Sequence, residues 1–329
     1  MKHVNIAIFV PHNGCPHQCS FCNQKSITGK QYQPGPDDVY KAAEIAARSL
    51  NHQAAETEIA FFGGSFTLIR RDVMISLLKA ADWCRKQYGF SGIRISTRPD
   101  GIDRDILGIL KEYGVTSIEL GAQSMDNTVL KKNGRGHTAE QVETASRLIQ
   151  QNNFFLGLQM MTGLWGDDPE GAIRTAEKII SLRPDCVRIY PTIVMEGTEL
   201  ARRYRCGEYS PMDLETAVSL CADLLVRFKK NNIPVIRVGL HDTPELKHGM
   251  ICGPYHPAFR ELCESRYFRN QLEAALPADC KLITVAVNPK DVSRFVGQKR
   301  SNVEYFRLRG YQIEVKQDSA VRMGTVEIL

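Results

Sequence analysis

The sequence predicts an α/β protein: a partial, six-stranded parallel β/α barrel followed by a small α+β C-terminal module. Three observations lead there. From Asn5 to about Arg237, short apolar runs alternate with longer amphipathic ones, the pattern of repeated strand–helix units and therefore of a parallel sheet with right-handed crossovers. Six such units suit a partial barrel better than a closed eightfold one. Residues 281–329 break this rhythm, and a chain of 329 residues has material for a barrel-sized core and a small appendage. The chain therefore divides into a barrel at 1–237, a linker or cap over the barrel mouth at 238–280, and a small basic module at 281–329.

Taken in order, strands are expected at Ile6–Val10, Glu58–Phe62, Ile93–Thr97, Ser117–Leu120, Phe154–Met160 and Cys186–Tyr190. Helices are expected at Asp38–Leu50, Asp72–Tyr88, Asp103–Tyr113, Ala139–Gln151 and Pro169–Leu182, several opening on an Asp or Pro start signal. In such barrels the loops after the strands carry the chemistry.

The loop after the first strand reads Cys15-Pro16-His17-Gln18-Cys19-Ser20-Phe21-Cys22. Three thiols this close can wrap one face of an iron–sulfur cube, but a 4Fe-4S cluster normally takes four thiolates, so one iron is left open. The amino and carboxylate groups of S-adenosylmethionine can chelate that iron. Zinc is the competing reading; it needs a fourth ligand, and neither His12 nor His17 stands at the usual two-pair spacing. Disulfides fit less well. The chain opens Met1-Lys2-His3 and runs directly into the strand-like Val4–Val10, too short for a signal peptide or a membrane span, so a cytoplasmic protein without a membrane partner is expected. In that reducing compartment ten cysteines argue for metal ligation or buried thiols, and Cys84, Cys186, Cys206, Cys221 and Cys280 read as core.

The cysteine pattern resembles the radical S-adenosylmethionine superfamily. The resemblance implies a 4Fe-4S cluster on Cys15, Cys19 and Cys22, with S-adenosylmethionine as second cofactor. It also implies a low-potential electron donor such as ferredoxin or flavodoxin, and reductive cleavage to a 5′-deoxyadenosyl radical. The Phe21 ring would shield the cluster and pack on adenine. After the second strand comes Phe61-Phe62-Gly63-Gly64-Ser65-Phe66-Thr67; glycines expose backbone to close approach, and at Gly63 and Gly64 that backbone could meet the cofactor's amino group. Ser96, at the end of the third strand, adds a polar group at the same rim.

A narrower resemblance follows from ordered motifs over about residues 5–266. Thr97-Arg98-Pro99-Asp100, Glu119-Leu120-Gly121-Ala122-Gln123-Ser124, Arg135-Gly136-His137-Thr138, Tyr190-Pro191-Thr192, Glu196-Gly197-Thr198 and Arg260-Glu261-Leu262 together look like the radical domain of the catalytic subunit of Elongator, which modifies the tRNA wobble uridine. By that resemblance Gln123, Arg135 and Gln159 are expected near the ribose and carboxylate of S-adenosylmethionine. That subunit continues into an acetyltransferase domain for which this chain leaves no room, so the expectation covers the radical-generating half only.

Between Gly239 and Cys263 stand His241, His248, Cys252, His256 and Cys263. They admit a second metal site, or a cap that brings a hydrogen-atom donor to the substrate; because the spacings fit no standard zinc pattern, a loop with ordinary buried cysteines is the favoured reading. Residues 281–329 carry nine Lys/Arg against five acids, nearly all of the chain's net charge of +5. A basic module is usually a solvated face, yet it is also the electrostatic footprint of a nucleic-acid binder. Its expected order is a strand at Leu282–Val287, a short helix at Pro289–Phe295, a loop at Val296–Asn302, a helix at Val303–Arg309 and a strand at Tyr311–Val315. This resembles a KH-like module whose glycine loop clamps nucleic-acid backbone, although Arg300 replaces the second glycine. Lys299, Arg300, Arg307 and Arg309 are the candidate RNA contacts.

The leading functional expectation is a radical enzyme acting on RNA, in particular tRNA. The alternative is a radical enzyme on a small molecule such as a porphyrinogen, because oxygen-independent coproporphyrinogen oxidase shares the barrel and similar Gly and Gln motifs. Outside both lies a non-catalytic RNA-binding protein with a structural zinc.

Overall fold

The computed structural model describes residues 4–11, 18–22, 32–49, 54–277 and 281–329. Strands β1 (Val4–Val10), β2 (Thr57–Gly63), β3 (Gly92–Thr97), β4 (Val115–Gln123), β5 (Phe155–Thr162) and β6 (Cys186–Pro191) pair in chain order, all parallel. The short β7 (Val194–Met195) leaves the sheet, and β8 (Val235–Val238) adds a seventh parallel strand beside β6. The six expected strands are present with bounds shifted by a few residues. The seventh carries no legible signal: four residues following Pro234, with Arg237 among them, are too few for periodicity.

The crossovers run through α1 (Pro36–Ser49), α2 (Arg71–Tyr88), α3 (Arg104–Glu112), α4 (Asn127–Lys132), α5 (Ala139–Gln151) and α6 (Pro169–Ser181). Their start signals do what the sequence suggests. Asp103 accepts from the Ile106 amide at 2.8 Å, Thr138 and Gln141 close a capping box, and Asp168 accepts from the Gly171 amide at 2.6 Å with Pro169 opening the helix. Strands in sequential order joined by right-handed crossovers place their helices on one face of the sheet. Alternate strand residues, among them Ile59, Phe61, Ile93, Ile95, Ile118, Leu120, Leu156, Leu158, Val187 and Ile189, are buried in that core with Leu77, Leu78, Leu110, Ile149 and Ile179.

The intervening residues line the concave face of this half-barrel, and four of them, Glu58, Arg94, Glu119 and Arg188, are charged. Arg94 donates to Glu58 at 2.7 Å and to Glu119 at 3.0 Å. Arg188 donates twice to Glu119, at 2.6 and 2.9 Å, and Gln159 once at 2.9 Å. Ser117 donates to Glu58 at 2.7 Å. Burial by itself raises the Glu119 carboxyl pKa, but Arg188 and Arg94 overcome that and hold it below its ordinary value. Gly157 is the register partner of Glu119, and a Cβ there would lie 2.7 Å from Glu119 Cγ.

After β6 follow α7 (Glu199–Arg205), α8 (Leu214–Lys230), α9 (Pro244–Gly249), β9 (Met250–Cys252) antiparallel to β7, and α10 (Phe259–Ala275). The C-terminal module comprises β10 (Leu282–Val287), α11 (Val292–Val296), α12 (Ser301–Leu308), β11 (Gln312–Gln317) and β12 (Val326–Ile328), with β10 central, parallel to β11 and antiparallel to β12. Its own core joins Ile283, Val285, Val287, Phe295 and Phe306 to Phe268 and Leu272 of α10. Phe259 and Cys263, earlier on the same helix, belong to the barrel core. Helix α10, which lies within the expected 238–280 linker, therefore contributes to both cores.

Because Glu119 has a side chain only 1% exposed between two guanidiniums, Glu119→Gln should strand buried positive charge and cost about 3–5 kcal/mol. Urea unfolding at neutral pH measures this; a loss below about 1 kcal/mol would show the network to be well solvated.

Candidate active site at the barrel mouth

The segment from Gln18 to Cys22 has no strand or helix of its own, so neighbouring loops position it. Ser20 is held three ways: its amide donates to Asn133 O at 3.0 Å, its hydroxyl to Asn133 Oδ1 at 2.7 Å, and its carbonyl accepts from the Leu200 amide at 2.7 Å. Asn133, fully buried after α4, is fixed in turn by donating to Val129 O and Trp165 O at 2.8 and 2.9 Å. A Cβ at Gly134, whose φ is +63°, would lie 3.1 Å from Gln18 O. The loop after α4 and the start of α7 thus form a seat for the cysteine segment.

Cys19 is buried and Cys22 half-buried; the Cys22 amide donates to Cys19 O at 3.1 Å. Cys15 lies outside the described residues, as do His12, His17 and Cys280. Phe21 packs on Val194, Leu200, Ala201 and Tyr209, joining the cysteine segment to the structure beyond β6.

Several residues singled out from the sequence converge on this seat. Arg135 donates through Nη1 to Cys19 Sγ at 3.2 Å and through Nη2 to Gly121 O at 2.7 Å. Gln123 ends β4 in the left-handed region at φ 65°, where the register with β5 shifts. The Gly64 amide donates to Val10 O at 2.7 Å, and a Cβ at Gly64 would lie 2.6 Å from Pro11 O, so this glycine is required by the chain's own path towards the cysteines. Gly63, at φ 109°, makes the turn before it. Ser96 closes the rim at the end of β3. Gln159 stands apart: its amide is committed to Glu119 on the floor.

Three of these residues carry buried polar atoms without a partner among the described residues: Ser96 Oγ, Gln123 Oε1 and Arg135 Nε. Buried polar groups are hydrogen-bonded in the great majority of cases. Two of these orphans lie at the carboxyl ends of β3 and β4 and the third is on Arg135, which contacts Cys19; their hydroxyl, amide and guanidinium chemistry fits the ribose and carboxylate of S-adenosylmethionine.

Sequence reading missed Asn133, Ser20 and His137 as parts of the site. His137 Nε2–H donates to Ala122 O at 3.2 Å and its Nδ1 is a buried orphan. Burial first, then the Arg135 charge, push its pKa down to about 4, so it is neutral at pH 7. The only sequence signal was its place beside Arg135. Cys206, read as core, is exposed, because it follows α7 on the outer surface. The donors of residues 239–263 are dispersed: Cys252 pairs with Val194 across β7 and β9, Cys263 lies against Cys221, and His248 Nδ1–H donates to Pro244 O at 2.7 Å. In the module, Lys299 and Arg300 are exposed at φ 51° and 62° in the turn between α11 and α12. Arg307 pairs with Glu304 at 2.8 and 2.5 Å, and the Arg309 guanidinium lies 3.6 Å over the Tyr305 ring. No helix among the described residues is long and apolar enough to cross a membrane.

Comparison with known proteins identifies the family. The Radical SAM superfamily matches residues 9–179 and the Radical_SAM C-terminal domain matches residues 184–269. The chain belongs to the radical S-adenosylmethionine superfamily; it is a radical SAM enzyme, and a 4Fe-4S cluster and S-adenosylmethionine are its cofactors. It is similar to a tRNA uridine(34) acetyltransferase of Dehalococcoides mccartyi, 25% identical over 303 residues that cover 80% of this chain and 64% of that protein. It is 32% identical to Elongator complex protein 3 of Homo sapiens over 251 residues, 67% of this chain and 45% of that one. The chain thus spans roughly half to two-thirds of the length of these relatives. Its fold is shared with the archaeal Methanocaldococcus infernus Elp3 at a TM-score of 0.62 and 20% identity, covering 85% of this chain and 65% of that structure.

The low pKa of His137 makes a pH prediction. In the unfolded chain the imidazole takes up a proton below its ordinary pKa of 6.5, while the folded chain refuses it until about 4. Stability should therefore fall as pH drops from 6.5 towards 4, by about 2–3 kcal/mol from this group. His137→Gln should flatten that limb in urea titrations at successive pH values; an unchanged slope would mean that His137 already titrates normally.

Proposed function

We propose that this enzyme uses its radical to modify RNA, and in particular tRNA, in the cytoplasm. The observation that carries the reading is the set of orphaned polar atoms on Ser96, Gln123 and Arg135 beside Cys19, in a chain whose relatives include named tRNA uridine(34) acetyltransferases. Cys15, Cys19 and Cys22 hold the cluster. Ser96, Gln123 and Arg135 would hold the polar groups of S-adenosylmethionine, the backbone at Gly63 and Gly64 would meet its amino group, and Phe21 would pack on its adenine. Gln159 acts from below, through Glu119. When bound, the cluster and S-adenosylmethionine supply a 5′-deoxyadenosyl radical on arrival of an electron from a ferredoxin- or flavodoxin-type donor. The residues around them exclude water and fix orientation: His137 stays neutral beside Arg135, so it adds no second positive charge there.

The C-terminal module supplies the grip on RNA. Lys299 and Arg300 project from a turn whose two successive left-handed residues follow Gly297, and no carboxylate pairs with either among the described residues. Arg307 and Arg309 are partly engaged by Glu304 and Tyr305, so they contribute less.

Two measurements test this. Protein reconstituted without oxygen should bind about four irons per chain, and Ala at Cys15, Cys19 or Cys22 should abolish that, while Cys252→Ala and Cys263→Ala should retain it; full iron in all three motif variants would refute the ligand set. Binding to tRNA should weaken with salt at a slope of about 0.7–0.9 per phosphate contact, and Lys299→Glu with Arg300→Glu should flatten the slope by about two contacts. If the double variant binds tRNA as tightly as the parent at every salt concentration, the module is a solvated face and the small-molecule reading gains.

A further inference from the structure

On the concave face two arginines stand side by side at the last strand pair: Arg188 of β6 and Arg237 of β8 are register partners. Adjacent strands lie about 4.8 Å apart, and like charges directly opposite each other are unfavourable. Arg188 is compensated by Glu119. That carboxylate is then saturated, because its two oxygens accept from Arg94, from Gln159 and twice from Arg188, about as many bonds as a carboxylate can take. Nothing is left for Arg237.

Arg237 has no carboxylate partner of its own among the described residues. It is half-buried; Nε donates to Gly239 O at 3.0 Å and Nη2 to Leu240 O at 2.7 Å, and these are neutral carbonyls of the turn it stabilises. Its Nη1 makes no hydrogen bond among the described residues. Tyr190 lies on the same face of β6, two residues beyond Arg188, and His241 follows the turn at the open edge. The electrostatics agree with the geometry. Burial lowers the pKa of Arg237, Tyr190 works against that, and Arg188 and Arg260 repel it; burial, Arg237 and Arg188 together lower the pKa of His241. Among the described residues, Arg94 and Arg188 of this lining are paired with Glu58 and Glu119, and Arg237 is the guanidinium that faces no carboxylate.

We propose that Arg237, flanked by Tyr190 and Arg188, is an oxyanion-binding subsite that holds a carboxylate or phosphate group of the molecule on which the enzyme acts. Guanidinium forks match these groups in shape and charge. The position suits a substrate: Arg237 and Tyr190 are each the last but one residue of their strands, at the carboxyl end where parallel sheets bind ligands. β8 is also the opposite edge of the sheet from β1, away from Ser96, Gln123 and Arg135. The inference rests on the reading of the mouth as the radical site.

The test uses the full-length, cluster-loaded chain, titrated by calorimetry with sodium acetate, inorganic phosphate and uridine 5′-monophosphate against a sodium chloride control. At least one anion should bind saturably, and Arg237→Gln should weaken it about tenfold or more, the worth of a charge-assisted hydrogen bond. Preference for phosphate and the nucleotide points to an RNA phosphate as the source; preference for acetate points to a small carboxylate substrate. Binding of none of the three, or equal binding by parent and Arg237→Gln of matched iron content, overturns the subsite. Should Arg237→Gln fail to fold, Arg237→Lys and Tyr190→Phe decide instead: both should weaken binding, and unchanged affinity in both overturns the subsite. A parent chain that holds iron and cleaves S-adenosylmethionine but binds no anion refutes the subsite alone, whereas a parent without iron refutes the radical reading itself.

Discussion

The Glu119 carboxylate, enclosed by Arg94, Arg188 and Gln159, is the constraint on which the barrel depends. Closed β/α barrels fill their interior with layers of branched apolar side chains. This half-barrel fills its floor with ion pairs instead, spanning β2 to β6 through Glu58, Arg94, Glu119 and Arg188. Such a network tolerates no vacancy, because removing one member leaves another charge buried. It also dictates its surroundings: Gly157 must lack a side chain to leave room for Glu119, and Gln159 turns its amide down to the floor. The floor is fixed by these bonds, while the rim above it keeps polar atoms unspent.

That division places the chemistry. The cysteine segment has no regular structure to hold it, yet Ser20, Cys19 and Phe21 are tied respectively to Asn133, Arg135 and the cluster containing Leu200 and Tyr209. Its geometry is therefore inherited from loops that begin more than a hundred residues later. Arg135 is central because it reaches Cys19 and the Gly121 carbonyl at once and still has Nε in reserve.

The parts of this arrangement legible in the sequence are those whose signal is local. Strands such as Ile93–Thr97 and helices such as Ala139–Gln151 declare themselves by period and caps, and the three cysteines by their spacing. β8 and β12 do not, being three or four residues long and stable only through pairing with β6 and β10. The ionic floor was hidden for a different reason, since its members are scattered from Glu58 to Arg188 and meet only on folding. One signal was available: central parallel strands buried on both faces usually read as continuous apolar runs, so Arg94, Glu119 and Arg188 in mid-strand were anomalies that called for partners. Asn133 offered nothing comparable, since an asparagine before glycine reads first as a turn.

Helix α10 extends this logic to the C-terminal module. Its early residues pack on the barrel, where Phe259 closes on Gly239 and Arg260 donates to Val235 O at 3.0 Å on β8. Its middle takes Asn302, whose amide donates to Ser265 O at 2.8 Å and to Phe295 O at 2.8 Å, and a Cβ on Gly297 would collide with Ser265 Oγ at 2.6 Å. The turn bearing Lys299 and Arg300 is thus docked on the same helix that abuts the strand of Arg237. Among the described residues, the turn with Lys299 and Arg300 and the strand with Arg237 are therefore both packed against α10.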